Sequence, residues 1–255
     1  QNTTEMQIAC PDFCVVKTSL LTKVSKAKKM KIESNYQRQV GLISVLSAIL
    51  AFGSLWLSAV AVDFNLDTFS DPSGLLYFSQ HHEAARWAML LDMFGYYLLL
   101  LPAIFYLHEW LAPRTPWANL LTCCGLAYVL VGAIGAGILA AVWPQQMQQY
   151  LVAGPEQQVA LRAASENITT IVYGGMWNIL EVFLCGVWWT GLGLVLRLQF
   201  RSPGNVSILL GAACLLDSAG NMTGIKILAE TGLNIYLILA IVWTAWMGAR
   251  RACSI

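Results

Sequence analysis

Three carboxylates, Asp92, Glu181 and Asp217, stand inside long apolar stretches of this chain. A charge at the centre of a bilayer costs about 2.5–3.5 kcal/mol on insertion scales. Side chains kept there face a protein interior or a water-filled cavity. The chemistry open to them is binding and release of protons or of a small solute. Two amides, Asn178 and Asn221, and three aromatics with a polar handle, Trp177, Tyr96 and Tyr128, accompany them. These eight form the candidate ligand- or proton-binding set. No catalytic residue is assigned, because GxxxxGK(S/T), HExxH and GxSxG are all absent. Intramembrane proteolysis by Asp92 and Asp217 finds no supporting residues around them.

The elements that must hold these groups are membrane helices. Of 255 residues, 57% are hydrophobic and 11% charged, against roughly 25% charged in a soluble domain. Six apolar runs are each long enough to cross about 30 Å of hydrocarbon. They are Val40–Val62, Ala84–Leu111, Trp117–Trp143, Thr169–Leu198, Val206–Leu228 and Leu233–Gly248. Pro144 should stop the third, and Pro102 should bend the second. The expected fold is all-α, a polytopic six-transmembrane-helix bundle. Residues 1–39 read as a basic, disorder-compatible tail, 40–248 as the membrane domain and 249–255 as a C-terminal tail. Met30 would itself make a natural start, so 1–29 read as a tail or a misassigned start.

Charge distribution sets the expected direction. Six lysines and one arginine precede residue 40. Residues 63–83 hold Asp63, Asp67, Asp71 and Glu83 and no Lys or Arg, whereas the turns at 112–116 and 199–205 and the C-terminal tail are basic. Positive-inside counting therefore places both termini in the cytoplasm. The Leu75–Phe78 stretch reads as an interfacial segment, and 155–167 as a short surface helix opened by Pro155. Six tryptophans near helix ends, Trp87, Trp110, Trp117, Trp143, Trp243 and Trp246, read as an aromatic belt. No internal repeat supports an inverted-repeat transporter.

A rise of about 1.5 Å per residue puts Glu181 about 18 Å, Asp217 about 16 Å and Asp92 about 12 Å from their nearer helix ends. Gly174, Asn178, Glu181, Cys185 and Trp188 fall on one stripe. Ala213, Asp217, Gly220, Asn221 and Gly224 fall on another, where Gly220-xxx-Gly224 permits close backbone approach. Gly125, Tyr128, Gly132 and Ala136 do the same on the third helix. Two readings stand side by side: a polar pocket open to the outside, or hydrogen-bonded groups that hold helices together. Arg86 is within reach of Asp92, although the outer interface suits it better.

Other motifs carry less. His81-His82-Glu83 lacks a third ligand on a shared face, and Cys10-x3-Cys14 lacks a second pair, so no metal is expected. His108-Glu109 reads as an interfacial pair. No histidine at membrane depth suits a haem, and Lys226 lies too near a helix end for a retinal Schiff base, so no cofactor is expected. Asn167-Ile-Thr169 is a glycosylation sequon close to the membrane. The run Lys23 to Lys31 fixes topology, with attraction to anionic lipid as a second role.

The stretches RWAMLLDMFGYYLLLLPAIFYL, GLAYVLVGAIGAGILA and VWWTGLGLVLRL followed by LLGAACLLD are similar to a bacterial group of six-helix membrane proteins of unknown function. The likeness covers about residues 84–248 and implies the fold and a bacterial inner membrane, with no chemistry attached. The functional expectation is an integral membrane protein that binds or translocates a small solute or protons. The alternative is a non-catalytic accessory or assembly subunit whose small-residue faces dock another membrane protein or a second copy. Nucleic acid is not an expected partner.

Overall fold

In the computed structural model, residues 12–65, 67–68 and 71–253 are described, with side chains from Ser34 onward. Cys10, the Cys14 side chain and the side chains of the 23–31 lysine run lie outside that set. Every described element is a helix. They are α1 (Asp12–Ala61), α2 (His82–Asp92), α3 (Leu101–Leu111), α4 (Ala118–Val152), α5 (Pro155–Thr169), α6 (Val182–Gln199), α7 (Arg201–Thr223) and α8 (Lys226–Ala252), with short 3-10 and π segments between some of them. Six continuous stretches are long and apolar enough to cross a membrane: Ser34–Ala61, Gly74–Leu111, Ala118–Val152, Pro155–Gln199, Arg201–Thr223 and Lys226–Ala252.

The stretches alternate in direction. One end of the bundle therefore carries Asp63, Asp67, Asp71 and Glu83, here the acidic end, and the other carries Arg114, Arg197, Arg201, Arg250 and Arg251, the basic end. The first stretch and α8 meet at the basic end, where a Cβ on Gly41 would lie 2.6 Å from the Ala252 nitrogen. Glycines set the other close contacts as well. Gly186 and Gly193 of α6 back onto Gly211 and Gly204 of α7, and Gly232 of α8 backs onto the Asp217 nitrogen. Small residues at these crossings let the helix backbones approach closely.

Several boundaries differ from the sequence reading. α1 begins at Asp12, far ahead of Val40. α4 runs through Pro144 to Val152. A proline inside a helix removes one backbone bond, and here Trp143, Met147 and Tyr150 stay buried around it and hold the extension. α7 ends at Thr223 because Gly224 takes the left-handed C-cap, at φ 74°. Gly224 thus closes a helix and packs against nothing within 4 Å, while Gly220 alone makes the close approach, to Ala229. Replacing Gly224 by alanine forces a side chain into the left-handed region and should cost about 1–2 kcal/mol, read as a lowered melting temperature in detergent.

Two aromatic assignments also change. Trp143 and Trp243 are buried in the core, whereas Trp87 and Trp117 are exposed as a belt requires. Leu75 and Leu76, in a 3-10 helix spanning Gly74–His81, are buried against the bundle, and of Leu75–Phe78 Tyr77 is the exposed residue. The short helix at Pro155 forms, with Gly154 as its N-cap.

Candidate functional site

Asp92 is the last residue of α2, and the chain then re-registers. Met93–Tyr97 is a π-helical turn and Leu98–Leu100 a 3-10 turn before α3 starts. Pro102 explains the break: it has no N–H to give and sits in the first turn of α3. The turn between the two registers is at Tyr97, at φ −123° and ψ −79°. Gly95 lets this turn lie on α1, since a Cβ there would meet the Ala51 nitrogen at 2.3 Å. The wider turn buries Gly95, Tyr96 and Tyr97 together, which a regular amphipathic helix does not do with consecutive residues.

Glu181 closes a second and longer irregularity. Residues Thr170–Glu181, twelve in all, are π-helical and join α5 to α6. Such segments are mostly single turns and concentrate at functional sites. Two of the three carboxylates thus flank π segments.

Glu181 is 2% exposed and accepts a hydrogen bond from the Tyr236 hydroxyl of α8 at 3.3 Å. Asp217 is 1% exposed. One of its oxygens accepts from the Asn221 amide at 2.7 Å, and its Oδ2 has no partner. Asp92 Oδ2 is also buried without a partner, with the Ser54 hydroxyl of α1 beside the carboxyl. Asp92 and Asp217 both lie within electrostatic reach of Glu181. None of the three carboxylates is in an ion pair among the described residues. Among the described residues the ion pairs are His81–Asp63, His82–Glu83 and Lys226–Glu230, all at the acidic end. Arg86 is exposed and forms none of these pairs.

The other expected residues divide between two cavities and the core. Asn178 lies one turn before Glu181 and lines a cleft of about 240 Å³ at the acidic end, with Asp71, Leu75, Trp143 and Tyr173. Tyr96 and Tyr128 line a cavity of about 10 Å³ with Tyr236, Ser47 and Thr244, about the space one water needs. Tyr96 donates to the Leu237 carbonyl at 3.1 Å and Tyr128 to the Tyr96 carbonyl at 3.4 Å. Trp177 instead packs the π segment onto α4, donating to the Gly132 carbonyl at 3.3 Å. Asn221 serves Asp217 and the Asp217 carbonyl.

The sequence reading passed over Tyr97, Tyr236 and a cysteine pair. Tyr97 and Tyr236 are buried beside Glu181. The Sγ atoms of Cys185 and Cys214 are 3.6 Å apart, and both residues are fully buried between α6 and α7. A signal existed for the pair: each cysteine lies three or four residues from a flagged carboxylate, on the same helical face. Alkylation by N-ethylmaleimide in detergent should modify the exposed Cys123 and Cys253 and spare Cys185 and Cys214 until the protein is denatured. Early modification of the pair, by peptide mass mapping, would contradict this packing.

Two further motifs settle into ordinary roles. His108 meets Thr122 of α4 at 2.8 Å rather than pairing with Glu109. The sequon's Thr169 is buried and accepts from the Trp143 indole at 3.2 Å.

No family model, curated protein or solved structure matches the chain.

What the site does chemically follows from its donors. The carboxyl groups of α2 and α7 lie within electrostatic reach of the one that closes the π segment before α6, and that one accepts from a tyrosine hydroxyl of α8. Two orphan oxygens in an apolar interior each cost about 1–3 kcal/mol unless a proton or ligand satisfies them. A carboxyl group in such a place is far cheaper neutral than charged.

Proposed function

We propose that this chain is an integral membrane protein that carries protons through the Asp92–Glu181–Asp217 layer, with both termini on the cytoplasmic side. The observation that carries the reading is a buried central carboxyl with two others in its electrostatic reach, both with an unpartnered buried oxygen, and none of the three in an ion pair among the described residues. The polar residues continue in both directions. From the acidic-end cleft, Asn178 leads to Glu181 one turn on. Tyr236 then bridges Glu181 to the small cavity with Ser47 and Thr244. One turn further, Ser44 and Gly248 line a cleft of about 30 Å³ toward the basic end. The direction follows from the arginines at the basic end and the positive-inside rule.

The assembly-subunit reading keeps only some of its glycines: Gly137, Gly174 and Gly175 are free of close contacts. Gly41, Gly186, Gly193, Gly211 and Gly232 are all spent on contacts within the chain, so these faces are not left for a partner.

The test is proton flux into proteoliposomes holding a pH-sensitive dye, driven by an imposed pH step. Flux well above that of protein-free vesicles is expected. A rate equal to that of protein-free vesicles would end the proposal.

A further inference from the structure

The acidic-end cleft, at about 240 Å³, is far larger than a proton path needs, since one water fits in about 10–15 Å³. It has room for a small organic molecule, and its lining says of which kind. Two of its walls are rings: Trp143 and Tyr173 stack with centroids 5.8 Å apart and planes at 26°. The Trp143 indole N–H is already given to Thr169 at 3.2 Å, so the indole offers the cleft ring surface and no donor. Asp71 is a charged residue of this lining, and no lysine or arginine is among the described lining residues. Its Oδ1 accepts from the Ser73 backbone N–H at 2.9 Å and from the Ser73 hydroxyl at 3.0 Å. Both bonds come from neutral donors, so they orient the carboxylate and leave its charge in place. Arg162 lies within electrostatic reach of Asp71. Its guanidinium is turned to the Tyr150 hydroxyl and the Tyr77 ring, and Arg162 is not among the lining residues.

Ligand classes fit this lining unequally. An anion finds no cationic donor there and meets Asp71. A neutral apolar molecule gains from the rings and Leu75 but makes no use of the carboxylate. A bare metal ion lacks its ligands, since no group of three His, Cys, Asp or Glu among the described residues could hold one. A cation with an apolar body uses every wall. Ring faces attract a positive charge within about 6 Å of their centres and are a general means of holding quaternary ammonium groups. A carboxylate at a cleft with low-dielectric walls draws the same charge in. The acceptor character continues inward: Tyr173 lies within electrostatic reach of Asp92, whose buried Oδ2 has no partner.

We propose that this cleft binds a small organic cation with an apolar body, a quaternary ammonium compound being the type, its charge held between Asp71 and the Trp143 and Tyr173 rings. Such binding is an equilibrium property and is independent of proton carriage.

The test is isothermal titration calorimetry of the full chain in non-ionic detergent with benzyltrimethylammonium, with protein-free micelles as the blank. Benzyl alcohol and benzenesulfonate, which keep the ring and change the charge, form the other arms. Benzyltrimethylammonium should bind saturably and one to one, at least tenfold more tightly than either. Asp71→Asn keeps an Oδ1 acceptor for Ser73 and removes the charge, and should weaken the cation at least fivefold. Tyr173→Leu should do the same, whereas Tyr173→Phe, which keeps the ring, should stay within twofold. Melting temperatures without ligand show which variants are folded, and if Tyr173→Leu does not fold, the exposed Asp71→Asn decides. Absence of saturable cation binding overturns the proposal. So does benzyl alcohol or benzenesulfonate binding as tight as that of the cation, or undiminished cation binding in folded Asp71→Asn or Tyr173→Leu protein.

Discussion

Under the proposed proton carriage, glutamine at position 181 is expected to leave a folded protein without proton flux. The side chain is nearly isosteric with Glu181, and its carbonyl still accepts from Tyr236, 3.3 Å away in the native protein. What it removes is the exchangeable proton in the middle of the layer. The added amide N–H₂ needs a partner in a site that is 2% exposed, so a stability loss of about 1 kcal/mol is expected, or about 2–4 °C in melting temperature. Proton flux should fall at least tenfold, to the level of protein-free vesicles. The two measurements separate the two readings of the layer. A carboxyl that only holds helices together would lose melting temperature and leave the remaining flux per folded molecule unchanged. A proton site loses flux at least tenfold while its melting temperature falls by no more than about 2–4 °C. Tyr236→Phe sharpens the comparison, since it strips the Glu181 oxygen of a donor and should cost about 1–3 kcal/mol.

Gly211→Val should abolish folding outright. A Cβ at Gly211 would lie 2.5 Å from the Thr190 nitrogen and 2.9 Å from the Gly186 carbonyl oxygen. Both are backbone atoms of α6, so no rotamer change relieves the clash, and the helices must separate. Separation would uncover the buried Cys185–Cys214 contact and loosen the wall beside Asp217. The penalty should exceed about 3 kcal/mol, the upper range for overpacking. Loss of the monodisperse peak in fluorescence-detected size exclusion would register it. Gly137→Ala is the matched control: its nearest new neighbour is the Met93 sulfur at 3.8 Å. That substitution should be neutral or stabilising by up to about 1 kcal/mol, since alanine is the better helix former. A folded, native-like Gly211→Val protein would mean that α6 and α7 are not this close.

Both substitutions act on contacts that the amino-acid sequence shows only in part. The carboxylates were legible because a charge inside an apolar run is anomalous whatever the fold. The glycines at 186, 193, 204 and 211 were legible in principle as seven-residue spacings on consecutive helices. The Gly220–Gly224 spacing drew attention instead, and Gly224 proved to be a C-cap. Tyr97 was hidden because no α-helical wheel buries it together with Tyr96; the π turn before Pro102 does. Tyr236 was hidden because it stands alone among apolar residues of α8, with nothing local to mark its partner.

Six helices long and apolar enough to span a membrane, their alternation, the acidic and basic ends and the place of the three carboxylates within apolar stretches follow from the sequence by itself. Hydropathy and charge are sums along the chain, and water or lipid reads them residue by residue. Tertiary structure alone decided which helix faces meet, that Pro144 lies inside a helix, and that Trp143 and Trp243 are core. It also decided that Glu181 finds Tyr236 and stands within reach of two other carboxyls. Between helices in lipid there is no bulk hydrophobic drive to orient a face. Rotation and register are therefore set by close backbone approach and by single hydrogen bonds between residues far apart in sequence.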